Sequence, residues 1–326
     1  LLSFDYGSSS GRSMLRSFDG EMLQLEEIHR FSNDPVMVNG TFFWDILRLF
    51  YEMKQGILKC VKGGHRDIAC IGTDTWGVDF GLLDSSGQLL GNPVHYRDSR
   101  NEGMIEEACK IVPRREIYEQ TGIQFLKFNT LYQLLSLKLS GSPLLEEAKT
   151  LLFTPDLLNY FLTGEKVTEY TIASTSQMID PRKGTWAELI LSRLGIPRDI
   201  LLDMVNPGTI IGKISRGVSE DLNVSGIPVV AVAGHDTASA VMSVPAAEER
   251  YAYLSSGTWS LLGVELPEPV INDTTYRLNY TNEGGFNRTT RLLKNIMGLW
   301  IYQECKRTWD KAGEPATFDE LEQMAM

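Results

Sequence analysis

The 326-residue chain carries a net charge of −11, with 43% hydrophobic and 22% charged residues. That balance excludes a disordered polymer and, without any Lys/Arg block, a general nucleic-acid binder. One hydrophobic core rarely serves more than roughly 250–300 residues, so two domains with a cleft between them are expected.

The first element is a strand, Leu1-Leu2-Ser3-Phe4, followed by the loop Asp5-Tyr6-Gly7-Ser8-Ser9-Ser10-Gly11-Arg12 and a second strand around Met14 and Leu15. Glycine without a Cβ and small serine hydroxyls let successive N–H groups approach a phosphate. Asp5 could hold a hydrated cation, and Arg12 could neutralise charge beside it. The same letters also describe an ordinary Ser/Gly hairpin turn, and the loop alone does not decide. A turn at Asp19-Gly20 leads to a third strand through Met22, Leu23, Leu25 and Ile28. Ile46, Leu47, Phe50, Met53, Ile57, Leu58 and Val61 then recur at helical spacing. The run Ile68-Ala69-Cys70-Ile71-Gly72 is apolar on both faces, the pattern of a buried parallel strand. Three antiparallel strands, a crossover helix and a parallel strand form a mixed α/β layer, which places ligands at the strand ends.

Residues 100–195 are expected to be mostly helical, punctuated by Pro113, Pro143, Pro155 and Pro181, and to cap the sheet. A second buried strand, residues 227–233, runs into a helix start at Gly234-His235-Asp236-Thr237. From Tyr251 a second hairpin follows, with Ser255-Ser256-Gly257-Thr258 at its turn. It echoes the first. The expected organisation is a duplicated α/β unit, residues 1–246 and 247–326, with one phosphate-binding hairpin from each facing a shared cleft.

Two such hairpins suit a triphosphate, and the remaining requirement is a group to accept the proton of the acceptor hydroxyl. Asp236 is the candidate, although it also fits as the N-cap of a helix beginning at Thr237. A helix N-terminus favours the ionised carboxylate, which would make Asp236 a weak base. Adjacent residues at a helix start point apart, so His235 is expected to reach substrate rather than form a dyad with Asp236. Trp76 and Gly77, in Thr73-Asp74-Thr75-Trp76-Gly77-Val78-Asp79-Phe80, suit a sugar, and equally a turn whose indole packs in the core. Tyr96-Arg97-Asp98-Ser99-Arg100 could supply charge at the same pocket, and a supporting salt bridge is the plainer expectation. Residues 290–306 give an apolar stripe at helical spacing, with Asn295 and Gln303 off it, so one helix face could touch sugar and nucleotide. His29, His65 and His95 show no ligand spacing, and no metal cluster is expected.

Cys60, Cys70, Cys109 and Cys305 are dispersed, and there is no membrane-length apolar run or signal-peptide pattern. A reduced, cytoplasmic chain with no membrane contact is the expectation.

Assembled, these segments resemble the FGGY carbohydrate kinases. The likeness is carried by residues 74–80 and 96–100, Gly122-Ile123-Gln124-Phe125, Asn129-Thr130-Leu131-Tyr132-Gln133-Leu134, His235 to Val241, Leu254 to Ser260 and Leu293 to Trp300. It implies an α/β fold of the duplicated ribonuclease-H-like (actin-like ATPase) type. The implied activity is transfer of the γ-phosphoryl of ATP, with Mg²⁺, to O1 of L-rhamnulose in L-rhamnose breakdown. Other ketoses, L-fuculose or D-xylulose, and a non-catalytic sugar-binding fragment are the alternatives. By the resemblance, Ser8, Ser9, Ser10, Gly11, Arg12 and Thr258 bind ATP phosphates, and Gln303 lies near the nucleotide. Trp76, Gly77, His235, Asp236, Thr237 and Asn295 line the sugar site, Asp236 accepts the proton, and Asp5 holds Mg²⁺ through water. A monomer or a homodimer would serve. Family members continue beyond Met326 with a Gly-rich adenosine-binding segment, so an incomplete second domain is expected.

Overall fold

Alternation of buried and solvent-facing residues sets the first strand, β1 (Leu2–Tyr6), which turns Leu2, Phe4 and Tyr6 to one side. A computed structural model describes residues 1–248 and 251–326. β1 pairs antiparallel with β2 (Ser10–Phe18), Asp5 opposite Arg12, and β2 pairs with β3 (Leu23–Ser32). Helix α1 (Ile46–Lys62) starts where the Asp45 side chain accepts the Arg48 N–H at 3.1 Å. Its Ile46, Leu49, Met53 and Ile57 join the core built on Phe4 and Tyr6. Gly56 in mid-helix has a packing reason, because a Cβ there would lie 2.8 Å from the Phe4 ring.

The chain then crosses to β4 (Ile71–Thr75), parallel to β1, with Asp74 beside Asp5. The apolar run anticipated this strand, but it begins at Ile71; Ile68 is buried just ahead of it. β5 (Ile210–Lys213) and β6 (Pro228–Val230) complete a six-stranded sheet of order β5-β6-β4-β1-β2-β3. Beyond β6, the Thr75 N–H donates to Gly234 O at 2.9 Å, so the chain stays against the end of β4 before entering α2 (Asp236–Met242).

Between β4 and β5 lies the expected cap, with helices at Met104–Ile111, Arg114–Thr121, Thr130–Leu139 and Glu188–Leu194 around a core of their own, while the helix Thr154–Thr163 sets Leu157, Leu158 and Leu162 in the core of the first sheet. It also holds short strand pairs, such as Ile179–Asp180 with Thr185–Trp186, that the helical reading did not foresee.

The second hairpin is β7 (Ala252–Ser256) and β8 (Trp259–Leu266), in a four-stranded antiparallel sheet with β9 (Thr281–Gly284) and β10 (Thr290–Met297), ordered β7-β8-β10-β9. Residues 290–297 are therefore a strand, and helix α3 (Trp300–Ala312) starts only after Gly298. The run Leu292, Leu293, Ile296, Met297 fits either period, and pairing with strands on both sides decides for β. The apolar cluster here is small: Val241, Tyr253, Leu261 and Leu293. Among the described residues, all four cysteines are free, and no helix is long and apolar enough to cross a membrane.

Candidate active site

A cavity of about 980 Å³ opens where the two hairpin turns, the end of β4, the N-terminus of α2 and the cap converge. Asp5, Ser8, Ser9 and Arg12 line it from the first hairpin, and Thr258 and Gln303 from the second lobe. Trp76, Gly77, His235, Asp236, Thr237 and Asn295 line the part between. Ser10 and Gly11 do not. Ser10 belongs to β2 and closes the turn by accepting the Gly7 N–H at 2.8 Å. Gly11 is needed for packing, since a Cβ would fall 2.3 Å from Cζ of Phe31. The turn is braced by Asn33, absent from the sequence reading, whose Nδ2 donates to Gly7 O at 2.9 Å.

Arg12 lies against Asp5, Nη2 to Oδ2 at 2.7 Å. Burial, with the carboxylates of Asp5 and Asp236 nearby, pushes the Asp74 carboxyl well above its ordinary range. Among the described residues no set of three or more His, Cys, Asp or Glu side chains is arranged to hold a metal ion directly.

Asp236 is the first residue of α2 and His235 is its cap, so the helix begins one residue earlier than expected. Asp236 Oδ1 accepts the Thr237 N–H at 2.6 Å and the Thr237 hydroxyl at 3.2 Å. Its side chain keeps 37% of its surface open to the cleft. Burial nevertheless outweighs the helix end and pushes its pKa up to about 7, with Asp5 adding to the rise and the Thr237 amide opposing it. The expectation of a weak base is thus corrected, because walls supplied by distant segments cost the anion more than one amide and a helix end return.

His235 also departs from expectation. Its Nε2 lies 3.3 Å from Asp236 Oδ1, so the neighbouring side chains meet. Extended backbone at His235 followed by helical backbone at Asp236 brings them together. Burial, then the Arg291 guanidinium, holds His235 well below its usual pKa, hence neutral. Arg291 Nη2 lies 3.0 Å from His235 Nδ1. The preceding backbone is fixed by buried Glu169, whose Oε2 accepts the Gly234 N–H at 2.9 Å and the Thr171 hydroxyl at 2.6 Å.

Trp76 is mostly a core residue, 5% exposed with its ring 4.1 Å from Trp44, although it also lines the cavity. Its indole N–H donates to Asp79 Oδ2 at 2.9 Å, as Trp44 does at 2.6 Å, while Gln133 Nε2 reaches Asp79 Oδ1 at 3.0 Å. Burial pushes Asp79 up to about 6 against these bonds. Gly77 faces Thr175, whose Cγ2 would be 3.2 Å from an added Cβ. Val78 beside it has φ +68°. Its N–H donates to Thr175 Oγ1 at 3.1 Å, and its carbonyl accepts from Thr130 Oγ1 at 2.6 Å and Gln133 Nε2 at 3.3 Å. Arg97 makes no supporting salt bridge among the described residues; it lies over Trp300 at 4.4 Å, Tyr96 at 5.1 Å and Trp259 at 5.2 Å.

Asn295 and Gln303 share the cavity but not a helix face. Asn295, on β10, donates its N–H to Gln124 Oε1 at 3.0 Å and its amide to Glu283 Oε1 at 3.4 Å. Gln303, on α3, has a buried Oε1 with no partner among the described residues. The second turn is tied to this helix: Leu299 N–H donates to Gly257 O at 2.9 Å and Trp300 N–H to Thr258 O at 3.2 Å. Arg291 and Glu283 escaped the sequence reading; the alternation of β10, had it been recognised, would have set Arg291 inward with Leu293.

Residues 1–243 match the N-terminal domain of the FGGY family of carbohydrate kinases, and residues 252–326 match its C-terminal domain. The chain is 46% identical to the rhamnulokinase of Bacteroides thetaiotaomicron over 98% of its own length and 65% of the relative. It is 44% identical to that of Oceanobacillus iheyensis, over 97% of this chain and 67% of the relative. It thus spans about two thirds of the curated relatives it matches. In fold it is similar to the xylulose kinase of Lactobacillus acidophilus, with TM-score 0.82 and 18% identity over 94% of this chain and 62% of the other. Glycerol kinase of Plasmodium falciparum, solved with ADP, gives TM-score 0.78 and 18% identity over 94% and 63%. With both family domains matched in order over the mixed first sheet and the second hairpin, the chain belongs to the FGGY family of carbohydrate kinases and shares their actin-like, ribonuclease-H-like α/β fold.

Proposed function

We propose that this chain carries the sugar site, the base and the phosphate-binding hairpins of a kinase that transfers the γ-phosphoryl of ATP to O1 of L-rhamnulose. The observation that carries the reading is the position of Asp236, a carboxylate raised to about 7 that lines the same cavity as Ser8, Ser9 and Thr258. Identity above 40% to proteins named rhamnulokinase supports this ketose over L-fuculose or D-xylulose.

Ser8 and Ser9 offer N–H and hydroxyl donors to the phosphates from one side, and Thr258 from the other, while the Gly7 and Gly257 N–H groups close their own turns on Ser10 O and Trp259 O. Asp236 orients the acceptor hydroxyl and takes its proton. A pKa near working pH suits that task better than that of an exposed aspartate. Gln124 and Asn295 present polar groups to the sugar hydroxyls beside the His235 ring, while Trp76, Tyr96 and Phe128 supply apolar surface. The unpartnered Oε1 of Gln303 fits a hydrogen-bond donor of the nucleotide. The crowding of Asp5, Asp74 and Asp236 fits a hydrated Mg²⁺ held through water by Asp5, which would neutralise phosphate charge in the transition state. Residues 1–246 and 247–326 would be the two closing units, in a cytoplasmic enzyme.

The test is a coupled ADP-release assay over a ketose panel, with sugar binding followed by calorimetry. L-rhamnulose should be the preferred acceptor, and Asp236→Asn should cut turnover by about 10²–10⁴-fold while sugar affinity stays within about twofold. Sugar binding with no ADP release would overturn the kinase reading in favour of a sugar-binding unit.

A further inference from the structure

Arg291 lies on β10 of the second sheet, fully buried, with its guanidinium against the His235 ring that caps α2 of the first lobe. Its Nη2 is 3.0 Å from His235 Nδ1 and 3.2 Å from Glu283 Oε2, and its Nε donates to Gly284 O at 2.9 Å. A guanidinium has only donors and stays protonated in proteins, so the imidazole nitrogen it faces must be an acceptor. A neutral ring then carries its one proton on Nε2, which is 3.3 Å from Asp236 Oδ1. Glu283 Oε2, 3.4 Å from Nδ1, would favour the other tautomer, but it is engaged by Arg291, and Arg291 is nearer the ring.

We propose that Arg291 is a positioning residue for the phosphoryl transfer: it locks His235 as the Nε2–H tautomer, whose proton faces Asp236 Oδ1, adds to the Thr237 bonds on that oxygen and leaves Oδ2 for the acceptor hydroxyl. The inference rests on the kinase reading above. The charged groups around this pair are Glu283 and Arg291 from the second sheet and Asp5 and Asp74 from the first, with Glu169 under Gly234. A doubly protonated ring would set a cation 3.0 Å from the guanidinium, which disfavours that state independently. The base sits on one lobe and the group that sets its partner's proton on the other, 56 positions apart in sequence. Asp236 Oδ1 is therefore held from two sides, by Thr237 of its own helix and, through His235, by the second sheet docked on the first.

The state of the ring is read directly from ¹⁵N spectra of the histidine-labelled full chain, with His235→Gln identifying the signals. We expect an unprotonated Nδ1 and a protonated Nε2 at neutral pH. Arg291→Met should remove that preference, whereas Arg291→Lys, which keeps a donor, should retain it. In the coupled assay Arg291→Met should lower kcat about 10- to 100-fold with KM for the ketose within about twofold. A wild-type His235 protonated on Nδ1 overturns the proposal, whether or not Arg291→Met folds. So does an Arg291→Met variant that keeps both the Nε2–H signal and full turnover. An intact Nε2–H tautomer in a wild-type chain that releases no ADP would overturn the kinase reading, while the ring assignment would stand on the spectrum.

Discussion

The two serine-rich turns face the same cavity on very different foundations. The first joins strands of a six-stranded sheet, braced by Asn33 and backed by α1 and the large cluster around Phe4 and Tyr6. The second joins strands of a four-stranded sheet whose apolar cluster has four buried members, and its turn is tied by Leu299 and Trp300 to the start of α3. One turn is positioned by a core and the other by a helix start. A fault in the first should therefore appear as lost stability, and a fault in the second as lost phosphate alignment.

Glycine substitutions test this contrast most sharply. At Gly298 a Cβ would lie 2.6 Å from Gly257 O and 2.8 Å from the Trp259 carbonyl carbon, so backbone must move. Gly298→Ala should lower kcat/KM for ATP by about 100-fold, the scale of an ångström-level misplacement. Gly11→Ala meets the Phe31 ring first, and should cost about 1–3 kcal/mol in urea denaturation, largely recovered by adding Phe31→Leu. If Phe31→Leu rescued nothing, the packing account of Gly11 would fail.

The carboxylates separate the two turns further, since Asp5 and Asp74 lie on the first sheet, close to Asp236. With Asp236 at about 7, turnover should rise with pH through that value, and be lower at pH 6 than at pH 8 by about tenfold. Stability runs the other way. The folded pKa lies above the ordinary 3.8, so between about 4 and 7 the folded chain binds more protons than the unfolded one and loses stability as pH rises. Asp236→Asn should thus raise the Tm of the unliganded chain at pH 8, with the gain shrinking towards pH 4; an unchanged Tm at both would contradict the raised carboxyl. The smallest effects are expected from the hydroxyls. Ser8→Ala and Thr258→Ala should each weaken ATP by about 1 kcal/mol, roughly fivefold, and add if the two turns grip independently.

Local periodicity made the hairpins, α1 and the parallel strand legible, because each is fixed by its own alternation or by the 3.6-residue repeat. Where a segment satisfied both periods, as residues 290–297 did, only the neighbouring strands could choose, and they lie elsewhere in the sequence. The same limit governed the site. Asp236 was identifiable from the strand and helix start around it, but its ionisation depends on walls from distant segments. The Arg291 contact with His235 is long-range in the same way. Gly11 shows a third kind of limit: its need for a bare backbone was visible, but the phenyl ring that imposes it was not.

Val78 has a consequence for how such a pocket can change over time. A β-branched residue held at φ +68° costs roughly 1–3 kcal/mol and persists only where its surroundings insist on it. Here the insistence comes from Thr130, Gln133 and Thr175, all in the cap. The wall proposed for the sugar is thus shaped by a region that carries neither the serine-rich turns nor Asp236. Drift in the cap could recut the fit to a new sugar while the phosphoryl-transfer apparatus is inherited unaltered.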